Sequence, residues 1–139
     1  MSPLATTVIP AYNEGKRLPT LLEDLARVAL ESPAPCQEIL VVDDGSRPED
    51  VEIEREAVDR AQARIEQAGL GHRFRFVAAP ENRGKGSAIR LGWASADPSS
   101  RWLGFLDADG AISAEEHQRL LRILAEDPAC DVLAGSRVK

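Results

Sequence analysis

Hydrophobic and polar positions along this chain switch repeatedly between two periods. Short apolar runs at about 6–9, 38–42, 74–78, 102–106 and 131–134 read as strands, each bounded by turn residues. The run at 38–42 is apolar beyond its first residue, as expected of a strand covered on both faces. Residues 14–31 carry Leu18, Leu21, Leu22, Leu25, Val28 and Ala29 at helical spacing, and Ser32-Pro33-Ala34-Pro35 stops that helix. Pro48 suits the first position of a helix running to about 68, with Val51, Val58, Ala61, Ile65 and Ala68 on one stripe. Glu49, Asp50, Glu52 and Glu54 in its first turns favour the positive end of the helix dipole and read as a solvated face. Gly69-Leu70-Gly71 ends it. A further helix is expected over about 85–96, and another opens at the capping box Ser113-Ala114-Glu115-Glu116, runs to 125 and closes before Pro128.

Strands separated by single helices imply right-handed βαβ units. The expected fold is therefore α/β, a mainly parallel sheet with helices on both faces, in one domain spanning 1–139. Composition adds little: 43% hydrophobic and 29% charged suit a globular domain with a real core. Charge changes the picture more. With 17 basic against 23 acidic residues the net charge is −6, which argues against a general nucleic-acid binder. Cys36 and Cys130 are too few for a disulfide framework and have no metal-ligand spacing. The N-terminal residues lack a signal-peptide pattern and no run approaches the roughly 20 apolar residues of a membrane span, so a cytoplasmic protein is expected.

The candidate chemistry sits where the apolar runs end. Pro10-Ala11-Tyr12-Asn13-Glu14 follows the first, Asp43-Asp44-Gly45-Ser46 the second, Asn82-Arg83-Gly84-Lys85-Gly86-Ser87 the third and Asp107-Ala108-Asp109 the fourth. In a parallel sheet all four share one rim, the place where open α/β sheets bind ligands. Asp43 and Asp44 are acceptors suited to a nucleobase N–H or to ribose hydroxyls, and Tyr12 offers a flat face for a base. Arg83 and Lys85 supply charge for a diphosphate, while Gly84 and Gly86 let backbone N–H groups approach it at a helix N-terminus. Taken alone, that segment reads equally as a solvated helix start. Residues i and i+2 of a strand point the same way, so Asp107 and Asp109 are placed to share one hard cation. A lone Asp-x-Asp reads equally as a solvated turn.

In their order along the chain, Val8-Ile9-Pro10-Ala11-Tyr12-Asn13-Glu14, Val41-Val42-Asp43-Asp44-Gly45-Ser46, Asn82-Arg83-Gly84-Lys85-Gly86 and Asp107-Ala108-Asp109 resemble the signature of family 2 glycosyltransferases. Gly135-Ser136-Arg137 extends the match, and the resemblance is greatest to the dolichyl- or polyprenyl-phosphate glucosyl- and mannosyltransferases. The resemblance implies the GT-A fold, a Rossmann-like architecture, and a nucleotide-diphospho-sugar donor. It gives the nucleoside to Pro10, Ala11, Tyr12, Glu14 and Asp44 with support from Asp43. Asp107 would contact ribose or metal, Ala108 would line the donor site, Asp109 would be the principal ligand of Mg²⁺ or Mn²⁺, and Arg137 would reach the donor. UDP-glucose is slightly favoured over GDP-mannose, with a polyprenyl phosphate as acceptor. After Asp109 the branch usually continues with an apolar residue or glutamine, where this chain has Gly110-Ala111-Ile112.

The chain is also shorter than the family's enzymes, so the resemblance implies a donor-binding half. A general base or acceptor site, and any membrane attachment of the intact protein, are then expected beyond Lys139. A nucleotide-sugar-binding module without turnover is the alternative. Two other classes fit poorly. A response-regulator receiver carries its acid pair after the first strand, whereas a whole βα unit precedes Asp43 here. A dinucleotide-binding domain needs Gly-x-Gly-x-x-Gly after that strand.

Overall fold

The computed structural model describes residues 2–135. Among them four strands and four helices alternate: β1 (Ala5–Ala11), α1 (Leu18–Glu31), β2 (Gln37–Asp43), α2 (Pro48–Gln67), β3 (Arg73–Ala78), α3 (Lys85–Ser95), β4 (Trp102–Phe105) and α4 (Ala114–Glu126). The strands form one parallel sheet in the order β3-β2-β1-β4. In the register of that sheet Ala5 lies between Gln37 and Trp102, so β1 is central and flanked on both sides.

The handedness of the crossovers decides where the helices go. β1, β2 and β3 step one way across the sheet, and right-handed connections put α1 and α2 on a single face. The step from β3 to β4 runs back past β2 and β1, so the same handedness puts α3 on the opposite face. Side-chain alternation agrees. Ile9, Ile39 and Val41 pack with Leu18, Leu22, Leu25 and Ile65 of α1 and α2, while Val8, Leu40 and Val42 pack against Ala88 of α3. Burying each such aliphatic side chain stabilises the fold by roughly 1.5–3 kcal/mol. Helix α3 approaches closely because Gly92 lacks a Cβ, which would stand 2.5 Å from a Val8 methyl group.

The expected elements are present with small shifts of boundary, save for three differences. First, 14–17 do not open α1: Arg17 and Leu18 both donate to the Glu14 carbonyl in a turn, and the helix begins at Leu18 with Pro19 in its first turn. Secondly, 131–134 form no strand. With α4 and the outer side of β4 they line an apolar groove of about 520 Å³, and Val132 is 85% exposed. An apolar run specifies side-chain contact, and a strand needs a hydrogen-bonded partner as well.

Thirdly, the acidic start of α2 is a solvated face only at Glu49 and Glu52. Asp50 and Glu54 are buried and point back at the loop after β1. Their i, i+4 spacing continues the buried stripe of Ala57, Val58, Ala61 and Ile65, which is the pattern that would have placed them inside. The capping box at Ser113 is half made. Its hydroxyl accepts the Glu116 N–H at 3.1 Å, while the Glu116 carboxylate turns to Arg119. Cys36 and Cys130 form no disulfide. Among the described residues no helix is long and apolar enough to cross a membrane.

Candidate functional site

Between β1 and β4 the chain's crossovers leave in opposite directions, and at such a switch point the loops part and leave a crevice at the carboxyl ends of the strands. A cleft of about 320 Å³ opens there. Pro10, Ala11, Tyr12 and Glu14 line it from the end of β1, Asp44 from β2, Lys85 from the first turn of α3, and Asp107, Ala108 and Asp109 from the turn after β4. Of the other sequence-derived candidates, Asp43 lies buried beneath the cleft. The Arg83 guanidinium pairs outward with Glu81 at 2.6 Å, and Arg137 falls outside the described residues. Arg17 also lines the cleft and was not singled out in the sequence, although it lies three residues from Glu14, with which it pairs at 2.5 Å.

The walls are three loops laced by buried acids. Asp44 accepts the Arg83 and Gly84 N–H groups at 3.0 Å, one on each oxygen, and so holds the loop before α3 in place. A carboxylate has about four acceptor positions, which leaves capacity on Asp44 for a ligand. Asp43 folds its own turn by accepting the Gly45 and Ser46 N–H groups at 3.1 Å. Asn13, in the left-handed region at φ 54°, ties the β1 loop to that turn: its N–H donates to the Ser46 hydroxyl and its side-chain oxygen accepts the Arg47 N–H. Asp50 accepts the Gly15 N–H at 3.1 Å and Glu54 the Glu14 N–H at 3.0 Å. Tyr12 is left 52% exposed on this braced loop, a free aromatic face at the mouth of the cleft.

The expected strand geometry of the Asp107/Asp109 pair is not what brings it together. β4 ends at Phe105, and both acids lie beyond it where the chain turns. The Lys85 ammonium pairs with Asp107, and Asp109 accepts the Ala111 N–H at 2.9 Å. Among the described residues four carboxylates face the cleft against two cations, Arg17 and Lys85. Hard oxygen donors in that excess suit a divalent cation, and the lysine already standing on Asp107 marks a position that attracts positive charge. Among the described residues no group of three or more acids, cysteines or histidines is placed to hold a metal alone. Two carboxylates are nonetheless enough for Mg²⁺ or Mn²⁺ when phosphate oxygens and water complete the shell.

Comparison with known proteins identifies the family. The family described as Glycosyl transferase family 2 matches residues 6–139. The chain belongs to that family. A dolichyl-phosphate beta-glucosyltransferase of Drosophila melanogaster is 35% identical over 140 residues, covering 95% of this chain and 40% of the fly protein. The Homo sapiens protein of the same description is 31% identical over 119 residues, covering 83% of this chain and 34% of its own. This glycosyltransferase domain thus spans well under half the length of those relatives. Among solved structures, Staphylococcus aureus TarS 1–349 in complex with UDP-GlcNAc superposes with a TM-score of 0.62 at 22% identity, over 88% of this chain and 31% of its own. The Pyrobaculum calidifontis mannosyltransferase PcManGT, in complex with GDP-Man and Mn²⁺, superposes at 0.52 and 24% identity, over 78% and 28%. At these identities the two share the fold, and the α/β sheet described above is that of the GT-A glycosyltransferases.

Proposed function

We propose that the cleft between β1 and β4 binds a nucleotide-diphospho-sugar together with Mg²⁺ or Mn²⁺, and that the chain is the donor-binding part of an enzyme transferring glucose from UDP-glucose to a polyprenyl phosphate. The observation that carries this reading is the convergence at one switch point of an exposed aromatic face, a buried acceptor pair and an excess of carboxylates. The sugar and acceptor rest on the fly and human relatives, whose descriptions name dolichyl phosphate and glucose. The metal rests on the charge of the cleft and on PcManGT, which was solved with GDP-Man and Mn²⁺.

Each residue then has a stated task. The nucleobase stacks on Tyr12 and donates to the spare acceptor positions of Asp44, with the backbone of Pro10 and Ala11 closing the pocket edge. Asp43 supports this by holding the turn that carries Asp44. The diphosphate lies towards the N-terminus of α3, where the helix dipole and the Lys85 ammonium attract negative charge. Gly84, at φ +97°, gives the chain its entry angle there. Asp107 and Asp109 would hold the cation, whose chemistry there would be to neutralise charge on the departing diphosphate. With a cation held at Asp107, the Lys85 ammonium that now pairs with that carboxylate would be free to turn to phosphate. In the transfer itself an acceptor phosphate oxygen bonds to the anomeric carbon while the bond from that carbon to the donor diphosphate breaks. Arg137 at the donor and a membrane-associated acceptor site in the intact protein belong to the same proposal.

A thermal-shift panel tests the reading. UDP-glucose with Mn²⁺ is expected to stabilise the chain by about 2.7 kcal/mol at a hundredfold excess over Kd. GDP-mannose and dTDP-glucose should stabilise it less, and every donor should act more weakly once EDTA is added. A larger shift with GDP-mannose would reassign the base. Mn²⁺ alone should leave the midpoint nearly unmoved, since two acids without phosphate make a weak site.

A further inference from the structure

Two glutamates among the described residues are wholly buried, and their surroundings differ. Glu38 in β2 is met on both oxygens: Oε1 accepts the Thr6 hydroxyl and the Asp97 N–H, and Oε2 accepts Arg75 at 3.0 Å. Glu54 in α2 receives one donor, the Glu14 N–H at 3.0 Å on Oε2. Its Oε1 has none. The carboxyl of Asp43, itself 1% exposed, is in hydrogen-bond contact with Glu54. Asp43 uses Oδ2 for the Gly45 and Ser46 N–H groups, and its Oδ1 likewise has no donor. Two buried carboxyl groups in contact thus each keep an acceptor oxygen without a donor, an arrangement that one proton satisfies and none leaves costly.

We infer that Glu54 and Asp43 share a single proton beneath the cleft, and that protonated Glu54 is a positioning residue for the nucleotide. Asp43 already accepts two N–H groups and Glu54 only one, so the proton is assigned to Glu54. From there Glu54 donates to Asp43 Oδ1 and accepts from the Glu14 N–H, linking the loop that carries Tyr12 to the turn that carries Asp44. Burial first, and then the contact with Asp43, push the Glu54 carboxyl up to about 8. The other charged groups around it do not oppose this. Asp50, one turn earlier on α2, is partnered by Arg47, and Glu14 on the loop turns its own carboxylate out to Arg17. Among the described residues no basic side chain acts on Glu54.

This inference rests on the proposed nucleotide site, and the test separates the two. Infrared spectra of protein carrying ¹³C-labelled glutamate carboxyls should contain a protonated carboxyl band at about pH 6 that fades by about pH 9 and is absent from E54Q. Glu54→Gln keeps an acceptor for Glu14 and a donor for Asp43 at every pH. The wild type should therefore lose stability relative to E54Q over that interval. Its affinity for UDP with Mg²⁺ should fall on the order of tenfold, while that of E54Q changes far less. The titration of UDP itself is common to both proteins. Absence of the band at about pH 6 overturns the shared proton without reference to any variant. A titrating band with UDP affinities that fall equally in both proteins overturns the positioning role. A titrating band with no UDP binding at any pH upholds the shared proton and contradicts the nucleotide site instead.

Discussion

Gly45→Ala is expected to destabilise the fold by about 2–5 kcal/mol and to abolish measurable nucleotide binding. Gly45 sits at φ +75° in the turn after β2, a conformation that an alanine adopts only with strain. The steric term is the larger one. A Cβ there would stand 2.4 Å from the Asn82 nitrogen and 2.8 Å from the Glu81 carbonyl carbon, both backbone atoms that cannot rotate away. The loop before α3 would have to shift, and the two bonds from Asp44 to the Arg83 and Gly84 N–H groups would break with it. The damage thus reaches the cleft through the same contact that strains the turn. Urea unfolding measures the first effect and calorimetry the second. A variant matching the wild type in both would show that the two loops do not pack as described.

Acidification should destabilise the protein through His117, by up to about 3 kcal/mol between pH 6.5 and pH 4. His117 lies on the inner face of α4 with Nε2 at 3.0 Å from the Thr7 hydroxyl of β1, and burial pushes its pKa from 6.5 down to about 4. The folded chain keeps the ring neutral over that interval, while the unfolded chain takes up a proton. The stability that depends on a neutral His117 is therefore complete above pH 6.5 and is lost as pH falls towards 4. His72, buried beside β2, is shifted down by the same cause and adds to the slope. Glu54 acts in the opposite sense. Its folded pKa lies above the unfolded 4.5, so its contribution is present below 4.5 and is lost as pH rises to about 8. The two slopes offset each other between about 4.5 and 6.5. His117→Gln isolates the histidine: the difference in unfolding free energy between variant and wild type should shift in the variant's favour as pH falls from 6.5 to 4. A difference independent of pH would mean that the ring is not held neutral.

Much of this was legible in the residues. The strand and helix periods of 5–126 were clear because strong apolar stripes meet proline, glycine and capping signals at their ends. The rim was legible because a parallel sheet collects every polar cluster that follows a strand on one edge. Depth was harder to read. Adjacent acids such as Asp43 and Asp44 look alike in sequence and both are buried, and only the alternation of Ile39, Val41 and Asp43 on one face of β2 separates the one beneath the cleft from the one that lines it. Asp50 and Glu54 were obscured by Glu49 and Glu52 beside them, because a run of charge hides a helical stripe unless the apolar positions are extended back into it. The run at 131–134 carried a hydrophobic signal, but pairing depends on a neighbour that local sequence does not reveal.

Calorimetric titration of UDP-glucose into the wild type and Asp109→Asn, each with Mn²⁺ and with EDTA, tests the central claim most directly. The substitution removes the charge of Asp109 while keeping its shape and an acceptor for the Ala111 N–H, so a folded variant reads the metal contact alone. Saturable binding that Mn²⁺ strengthens roughly tenfold or more in the wild type, with no such gain in Asp109→Asn, is the predicted result. Absence of saturable binding with Mn²⁺ present, or an affinity indifferent to both the metal and Asp109, would contradict the assignment of the β1–β4 cleft to a metal-bound nucleotide sugar.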